Sequence, residues 1–163
     1  MVQVVFPRTY YGHSEEIGVG ARTRQRSQWR GNPVSNNVSR GLNGLKILVV
    51  DDSKTIRRTA ETLLSKEGCQ VFTAIDGFDA LSKIADHQPD LIFVDIMMPR
   101  LDGYQTCSLI KHNKVFKTTP VIMLSSKDGL FDRARGRIVG SEQYLTKPFT
   151  RDELLGAISN QIN

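Results

Sequence analysis

The chain has 163 residues, of which 39% are hydrophobic and 24% charged, and its formal net charge is +5. The length suits one domain of ordinary size, and the composition is that of a folded protein. No apolar run approaches the roughly 20 residues that cross a bilayer, which excludes a membrane span. Cys69 and Cys107 lie far apart, which excludes a disulfide scaffold and is typical of buried thiols in a reducing cytoplasm.

Residues 1–43 form a basic segment that differs from the rest of the chain. They contain six arginines and two glutamates, whereas residues 44–163 contain 16 basic and 15 acidic residues. Between Arg22 and Arg40 there are almost no aliphatic side chains, so burial cannot offset the entropy of ordering. We therefore predict a disordered extension over residues 1–43 and one folded domain over 44–163. The extension is either a functional arm or an artefact of start-site assignment.

Four short apolar runs in the folded part predict strands that are covered on both faces. Continuous rather than alternating apolar residues are typical of a parallel sheet with helices on each side. A fifth, weaker run at residues 143–145 is typical of an edge strand. The four stronger runs lie at residues 47–50, 71–72 with Ala74, 91–94 and 121–124.

Helical patterns lie between and after these runs. Ser53 can cap the first helix and Gly68 marks its end, while Thr150 and Glu153 form a capping box for the last helix. A third helix is predicted from Gly103 to about residue 111. The apolar positions of the other helices are Ile56, Ala60, Leu63 and Leu64; Ala80, Leu81, Ile84 and Ala85; Leu130, Phe131, Ala134 and Ile138; and Leu154, Leu155, Ile158 and Ile162. This alternation indicates an α/β domain with a doubly wound parallel sheet.

Polar side chains follow the ends of four predicted strands. Two acids follow the first strand, and an acid, a serine and a lysine follow the third, fourth and fifth. Because ligands of open α/β sheets bind at the carboxyl ends of the strands, these side chains should share one site. They are Asp51, Asp52, Asp95, Ser125 and Lys147.

The residue types at this edge indicate phosphoryl chemistry with a divalent cation. Three clustered carboxylates repel one another unless a cation is bound, and hard oxygen ligands suit Mg²⁺, or Mn²⁺ in its place. A lysine supplies positive charge to one phosphate oxygen, and a serine hydroxyl can donate to another. Since the edge has no thiol or histidine, we expect a carboxylate nucleophile and an acyl phosphate product. Asp95 is the best candidate, because its strand is central and Asp51 and Asp52 lie beside it.

Four motifs together resemble those of the receiver domain of two-component response regulators. They occupy residues 49–53, 94–99 with 102–103, 124–126 and 144–149. The resemblance covers about residues 44–163. It implies a flavodoxin-like fold with a five-stranded parallel sheet in the order 2-1-3-4-5.

The resemblance also implies how the carboxylates act. Asp95 would be the phosphoacceptor. Mg²⁺ would be bound directly by Asp52, Asp95 and the backbone carbonyl of Met97, with Asp51 acting through a water molecule. The protein would be a signalling switch whose only intrinsic activities are autophosphorylation and autodephosphorylation.

Further roles follow from the same resemblance. Lys147 would bind a phosphoryl oxygen, and its peptide bond to Pro148 would be cis. On activation Ser125 would turn toward the phosphate, and Tyr144 would move from an exposed to a buried rotamer. The output face would consist of the fourth helix, the fifth strand and the fifth helix, in a two-state switch.

A closer resemblance is to the single-domain response regulators of type IV pilus twitching motility. It is carried by residues 52–61, 96–107 and 125–131. It implies a chemotaxis-like pathway in which a sensor histidine kinase or its phosphotransfer domain donates the phosphate and a protein of the pilus motor system is the target. The donor histidine should lie on that partner, because His13, His87 and His112 lie away from the acidic edge. We expect a cytoplasmic monomer or weak dimer without membrane insertion or a nucleic-acid partner.

Other functions stay open at this point. A flagellar-type chemotaxis regulator or a phosphorelay intermediate would use the same site. A DNA-binding regulator would need the basic extension for contact with DNA. A phosphatase of the haloacid dehalogenase class would also use Mg²⁺ and an acyl phosphate. Its nucleophile follows the first strand in a D-x-D motif, whereas here Asp51 and Asp52 are followed by Ser53.

Overall fold

Strands and helices alternate along the part of the chain that the computed structural model describes, residues 41–126 and 130–162 without the side chains of residues 130 and 131. The strands are β1 (Lys46–Val50), β2 (Gln70–Ala74), β3 (Leu91–Asp95), β4 (Val121–Ser125) and β5 (Gln143–Thr146). The helices are α1 (Lys54–Lys66), α2 (Gly77–His87), α3 (Gly103–His112), α4 (Leu130–Ile138) and α5 (Arg151–Ile162). The predicted disordered extension lies outside the described residues, apart from residues 41–43.

The strands form one parallel sheet in the order β2-β1-β3-β4-β5, which confirms the predicted fold. Every residue of β3 and β4 is buried, whereas β2 and β5 form the edges and are partly exposed. Val50 pairs with both Ala74 and Val94, and Ser125 pairs with Thr146. This register brings the carboxyl ends of the strands to one edge of the sheet, which we call the carboxyl rim.

Helices cover both faces of the sheet. On one face α1 and α5 pack over a cluster that includes Leu64, Phe93 and Ile158. On the other face α2 and α3 pack over a second cluster that includes Ile84 and Ile110. Fully burying one such side chain stabilises the fold by about 1.5–3 kcal/mol, so the two clusters hold the strands that carry the rim residues.

The predicted helix caps are present. The Ser53 hydroxyl accepts a hydrogen bond from the Ile56 amide at 3.4 Å at the start of α1. At the start of α5, the Thr150 amide donates to the Glu153 carboxylate at 2.8 Å, and the Glu153 amide donates to the Thr150 hydroxyl at 3.2 Å. These bonds satisfy backbone donors that the first turn of a helix leaves without intrahelical partners.

Helix α4 exposes two of its four predicted apolar positions, and the side chains of the other two, Leu130 and Phe131, lie outside the described residues. Ala134 is exposed, and Ile138 is 84% exposed. Gly136 is buried instead, and a Cβ atom at that position would lie 2.9 Å from the Ser141 hydroxyl oxygen. Among residues 132–138 the apolar pattern misleads, because the buried residue is a glycine, which an apolar pattern does not register.

Contacts of the domain extend back to residue 42. Leu42 is fully buried in the cluster under α1 and α5, and its carbonyl oxygen accepts a hydrogen bond from the thiol of Cys69. Cys69 and Cys107 are both buried and free, as predicted. Among the described residues, no helix is long and apolar enough to cross a membrane.

Candidate functional site

Three carboxylates meet at the carboxyl rim. Asp51 and Asp52 directly follow β1, and Asp95 ends β3. Their carboxylate oxygens lie within 4.8 Å of one another. Asp51 is fully buried and Asp95 is 3% exposed, whereas Asp52 is exposed. The cluster therefore combines two buried carboxylates with one that solvent reaches.

Lys147 approaches this cluster from the end of β5. Its ammonium group donates to Asp95 Oδ1 at 2.9 Å and to Asp51 Oδ2 at 3.1 Å. Its backbone amide donates to the carbonyl oxygen of Ser125 at 2.6 Å, which joins the ends of β4 and β5. The peptide bond from Lys147 to Pro148 is cis, as the resemblance implies. The ends of β1, β3 and β5 therefore bring Asp51, Asp95 and Lys147 into contact, and a backbone hydrogen bond joins the end of β4 to the same edge.

Burial and the ion pair between Asp95 and Lys147 shift the pKa values of these two residues in opposite directions. Burial raises the pKa of Asp95 to about 6, the hydrogen bond from Lys147 opposes this, and the charge of Asp51 adds to the increase. For Lys147, burial disfavours the charged form, but hydrogen bonds to Asp95 and Asp51 prevail and raise its pKa. Lys147 therefore stays a cation and offsets part of the repulsion among the carboxylates.

Two residues hold the loop between β1 and α1: the N-cap of α1 and one residue within the helix. The amide of Ser53 donates to Asp51 Oδ1 at 2.8 Å. One guanidinium nitrogen of Arg57 donates to the carbonyl oxygens of Asp51 at 2.7 Å and Asp52 at 3.1 Å. Arg57 was not among the predicted site residues, because nothing in its spacing shows that it folds back onto the preceding loop.

The loop after β3 is packed tightly against the strand it leaves. The amide of Gly103 donates to the carbonyl oxygen of Ile96 at 2.9 Å, and a Cβ atom at position 103 would lie 2.2 Å from the carbonyl oxygen of Asp95. Met97 is 74% exposed. Arg100, at a φ of 67°, reaches the Asp76 carboxylate at 2.6 Å. This loop is therefore anchored at both ends.

Ser125 and Tyr144 lie on the strands that flank the site. Ser125 is 5% exposed and comes directly after Leu124, the residue that pairs with Asp95. Tyr144 is half-buried on β5, and the guanidinium carbon of Arg133 lies 5.7 Å from its ring centroid. Ser125 thus lies beside the strand that ends at Asp95, and Tyr144 lies between the sheet and α4.

Known proteins with this fold and site define a class. A family model described as the response regulator receiver domain matches residues 47–159, and the chain therefore belongs to that family. Receiver domains generally bind Mg²⁺ at an acidic pocket, and the three carboxylates form such a pocket here.

Individual relatives narrow the comparison. Protein PilG of Pseudomonas aeruginosa is 77% identical over 119 residues, which is 73% of this chain and 88% of PilG. The alkaline phosphatase synthesis transcriptional regulatory protein PhoP of Bacillus subtilis is 41% identical over 109 residues, which is 67% of this chain and 45% of PhoP. The structure of the chemotaxis protein CheY4 of Vibrio cholerae superposes with a TM-score of 0.70 at 32% identity and covers 72% of this chain and 98% of CheY4.

Proposed function

We propose that this response regulator accepts a phosphoryl group on Asp95 from the phosphohistidine of a partner kinase or phosphotransfer domain. The observation that carries the proposal is the ammonium group of Lys147 at 2.9 Å from Asp95 and 3.1 Å from Asp51. A carboxylate oxygen of Asp95 attacks phosphorus, the phosphorus–nitrogen bond breaks, and its electron pair stays on the imidazole of the donor. The product is an acyl phosphate, to which Lys147 transfers one of its hydrogen bonds.

The donor set fits a divalent cation with a preference for oxygen. Asp52 and Asp95 would bind Mg²⁺, or Mn²⁺ in its place, together with the backbone carbonyl of Met97, and Asp51 would act through a water molecule. When bound, the metal supplies positive charge that neutralises the carboxylates and the phosphoryl oxygens. The exposure of Asp52 supports this assignment, since it leaves that carboxylate open to a hydrated ion.

We further propose that Ser125 and Tyr144 report the phosphorylation. Ser125 would turn its hydroxyl toward the phosphoryl group, and Tyr144 would turn inward. The position of Ser125 at the end of β4 supports the first step. Tyr144 packs against the buried cluster under α2 and α3, which supports the second. The face formed by α4, β5 and α5 would then bind the downstream partner.

The biological output that we propose is control of type IV pilus twitching motility in the cytoplasm, through a protein of the pilus motor system. The 77% identity with PilG supports this assignment. A flagellar-type chemotaxis regulator is the second candidate, which the structural likeness to CheY4 favours. A phosphorelay intermediate would use the same site. A DNA-binding role through the arginine-rich extension is the least supported candidate, since none of the described residues favours it.

The test of the proposal is incorporation of phosphate from acetyl phosphate in the presence of Mg²⁺. The wild-type protein should take up acid-stable, base-labile phosphate, and Asp95→Asn should not, because an amide is not a nucleophile. Asp86→Asn is the matched control, since Asp86 is exposed on α2 and should be labelled like the wild type. Equal labelling of Asp95→Asn and the wild type would refute the assignment of the phosphoacceptor.

A further inference from the structure

Tyr104 on α3 joins that helix to the first turn of α4. The side chain is 5% exposed. Its hydroxyl donates to Asp132 Oδ1 at 3.1 Å and lies 3.3 Å from the carbonyl oxygen of the same residue. The guanidinium carbon of Arg135 lies 4.5 Å from the centroid of the Tyr104 ring. One tyrosine thus contacts two charged residues of α4, through its hydroxyl and through its ring face.

The backbone of Tyr104 is tied to the end of β3. The preceding residue, Gly103, begins α3 so close to the strand that a Cβ atom would lie 2.2 Å from the carbonyl oxygen of Asp95 and 2.7 Å from Cα of Ile96. A movement of the chain at Asp95 therefore displaces the start of α3, and with it Tyr104. Asp95 is thus connected to α4 through the backbone contact at Gly103 and then through the side chain of Tyr104.

The space on either side of Tyr104 is open. A cavity of about 640 Å³ lies toward the rim and is bounded by Asp52, Met97 and Asp132, among others. A second cavity of about 470 Å³ lies on the other side, next to Leu109. Both cavities are lined by Tyr104 and Arg135. Open space therefore lies on both sides of the contact between Tyr104 and Arg135.

We propose that Tyr104 is a positioning residue that restrains the first turn of α4 through Asp132 in the unphosphorylated protein and releases it when Asp95 is phosphorylated. This inference rests on the proposed role of Asp95. Tyr144 packs against the same buried cluster as Tyr104, so its inward turn would compete for that space. The restraint itself runs through α3, whereas Ser125 and Tyr144 lie on β4 and β5.

The raised pKa of Tyr104 keeps its hydroxyl protonated, as a hydrogen-bond donor must be. Burial raises the pKa of Tyr104 to about 12, and the hydrogen bond to Asp132 acts in the same direction. The hydroxyl therefore stays protonated at neutral pH. Tyr104→Phe removes this donor and keeps the ring under Arg135, which makes it the sharpest single change.

The experiment measures the affinity of the full chain for beryllofluoride, a phosphoryl analogue, by calorimetry in the presence of Mg²⁺. Tyr104→Phe should bind beryllofluoride about threefold to tenfold more tightly than the wild type, since binding no longer has to break a hydrogen bond to a charged acceptor. Without the analogue, amide hydrogens of residues 130–138 should exchange faster in this variant. Ser108→Ala is the control. It also removes a hydroxyl from α3, but that hydroxyl contacts His112 of the same helix and not α4.

A second variant separates the restraint from a general loss of packing. Asp132→Ala should tighten binding to the same extent, and the double variant should gain nothing beyond either single change. Unchanged or weaker binding by a folded Tyr104→Phe protein would overturn the inference, as would effects that multiply in the double variant. If Tyr104→Phe does not fold, the beryllofluoride affinity of Asp132→Ala tests the inference, and unchanged or weaker binding by that variant would overturn it. Failure of the wild type to bind beryllofluoride would refute the proposed function and this inference together, whereas wild-type binding with unchanged variants would refute only the role of Tyr104.

Discussion

Arg57 shapes the acidic pocket without belonging to the carboxylate cluster. Its guanidinium nitrogen lies 2.7 Å from the carbonyl oxygen of Asp51 and 3.1 Å from that of Asp52. Two carbonyl oxygens of adjacent residues that share one charged donor are fixed in direction relative to each other. Since the side chains of the two aspartates leave the same stretch of backbone, we infer that Arg57 helps to set how they face Asp95.

Replacing Arg57 should therefore weaken the metal site. Arg57→Gln should lower the affinity for Mg²⁺ by about threefold to thirtyfold, because hydrogen bonds from a charged donor contribute about 1.5–3 kcal/mol and some of that contribution orients the ligands. Calorimetric titration with Mg²⁺ measures the change. Arg58→Gln is the matched control, since Arg58 is the next residue on α1 and is exposed. Because loss of a nearby positive charge alone would strengthen Mg²⁺ binding, unchanged or tighter binding by Arg57→Gln, or an equal loss in both variants, would contradict the positioning role.

At the scale of single residues, the sequence predicts which site residues come together only when they lie at the ends of strands. Asp51, Asp95 and Lys147 could be assigned to one site because the ends of parallel strands share an edge. Arg57 and Tyr104 could not, because their partners depend on how a helix lies against a loop or another helix. The spacing of residues in the sequence does not show how a helix is oriented against its neighbours. The contacts of Arg57 and Tyr104 depend on that orientation.

The start of α3 is the element whose position depends most closely on one residue. At Gly103, a Cβ atom would meet backbone atoms of Asp95 and Ile96 at 2.2 Å and 2.7 Å. Backbone at the end of a central strand cannot move aside as a flexible side chain can. Gly103 is thus required by the close approach of the helix to the strand.

Gly103→Ala should destabilise the domain by more than about 2 kcal/mol, since overpacking outweighs the gain of less than about 1 kcal/mol in helix propensity. Urea unfolding measures the difference. Gly156→Ala on α5 is the control, because a Cβ atom there would meet no atom within 4 Å apart from its chain neighbours and the backbone of its own helix. It should leave stability unchanged or raise it by up to about 1 kcal/mol. Equal stability of Gly103→Ala and the wild type would show that the strand and helix separate readily.

At the scale of elements, the sequence predicts strands and caps better than helix faces. Four apolar runs and a fifth, weaker one identified the five strands, and Ser53 and Thr150 marked the starts of two helices. In α4 the predictions for Ala134 and Ile138 were wrong, because periodicity assumes that apolar residues turn inward. Among residues 132–138 the buried position is Gly136, and Ile138 is 84% exposed.

For the whole molecule, the distribution of charge matters more than its sum. The formal net charge of +5 comes mainly from residues 1–43, whereas the domain is nearly neutral and gathers three carboxylates at one rim. We propose that the domain signals without the extension. Since Leu42 is fully buried in the core, a shortened chain should keep it and begin at residue 41.

Complementation of a bacterial strain that lacks its own twitching regulator tests this proposal. The full chain and the chain from residue 41 should both restore twitching, because phosphate acceptance and output lie in the domain. Asp95→Asn should not restore it, and Lys147→Ala should restore it poorly even though it accepts phosphate. Twitching restored by Asp95→Asn would contradict signalling through phosphorylation. Failure of the shortened chain alone would assign a function to the extension.

The most direct measurement identifies the phosphorylated residue itself. Borohydride reduces an aspartyl phosphate to homoserine, and peptide mass spectrometry then locates the homoserine in the chain treated with acetyl phosphate and Mg²⁺. We predict homoserine at position 95 and at neither position 51 nor position 52. Homoserine at position 51 or 52 would place the nucleophile after β1, as in phosphatases of the haloacid dehalogenase class, and would contradict Asp95 as the phosphoacceptor.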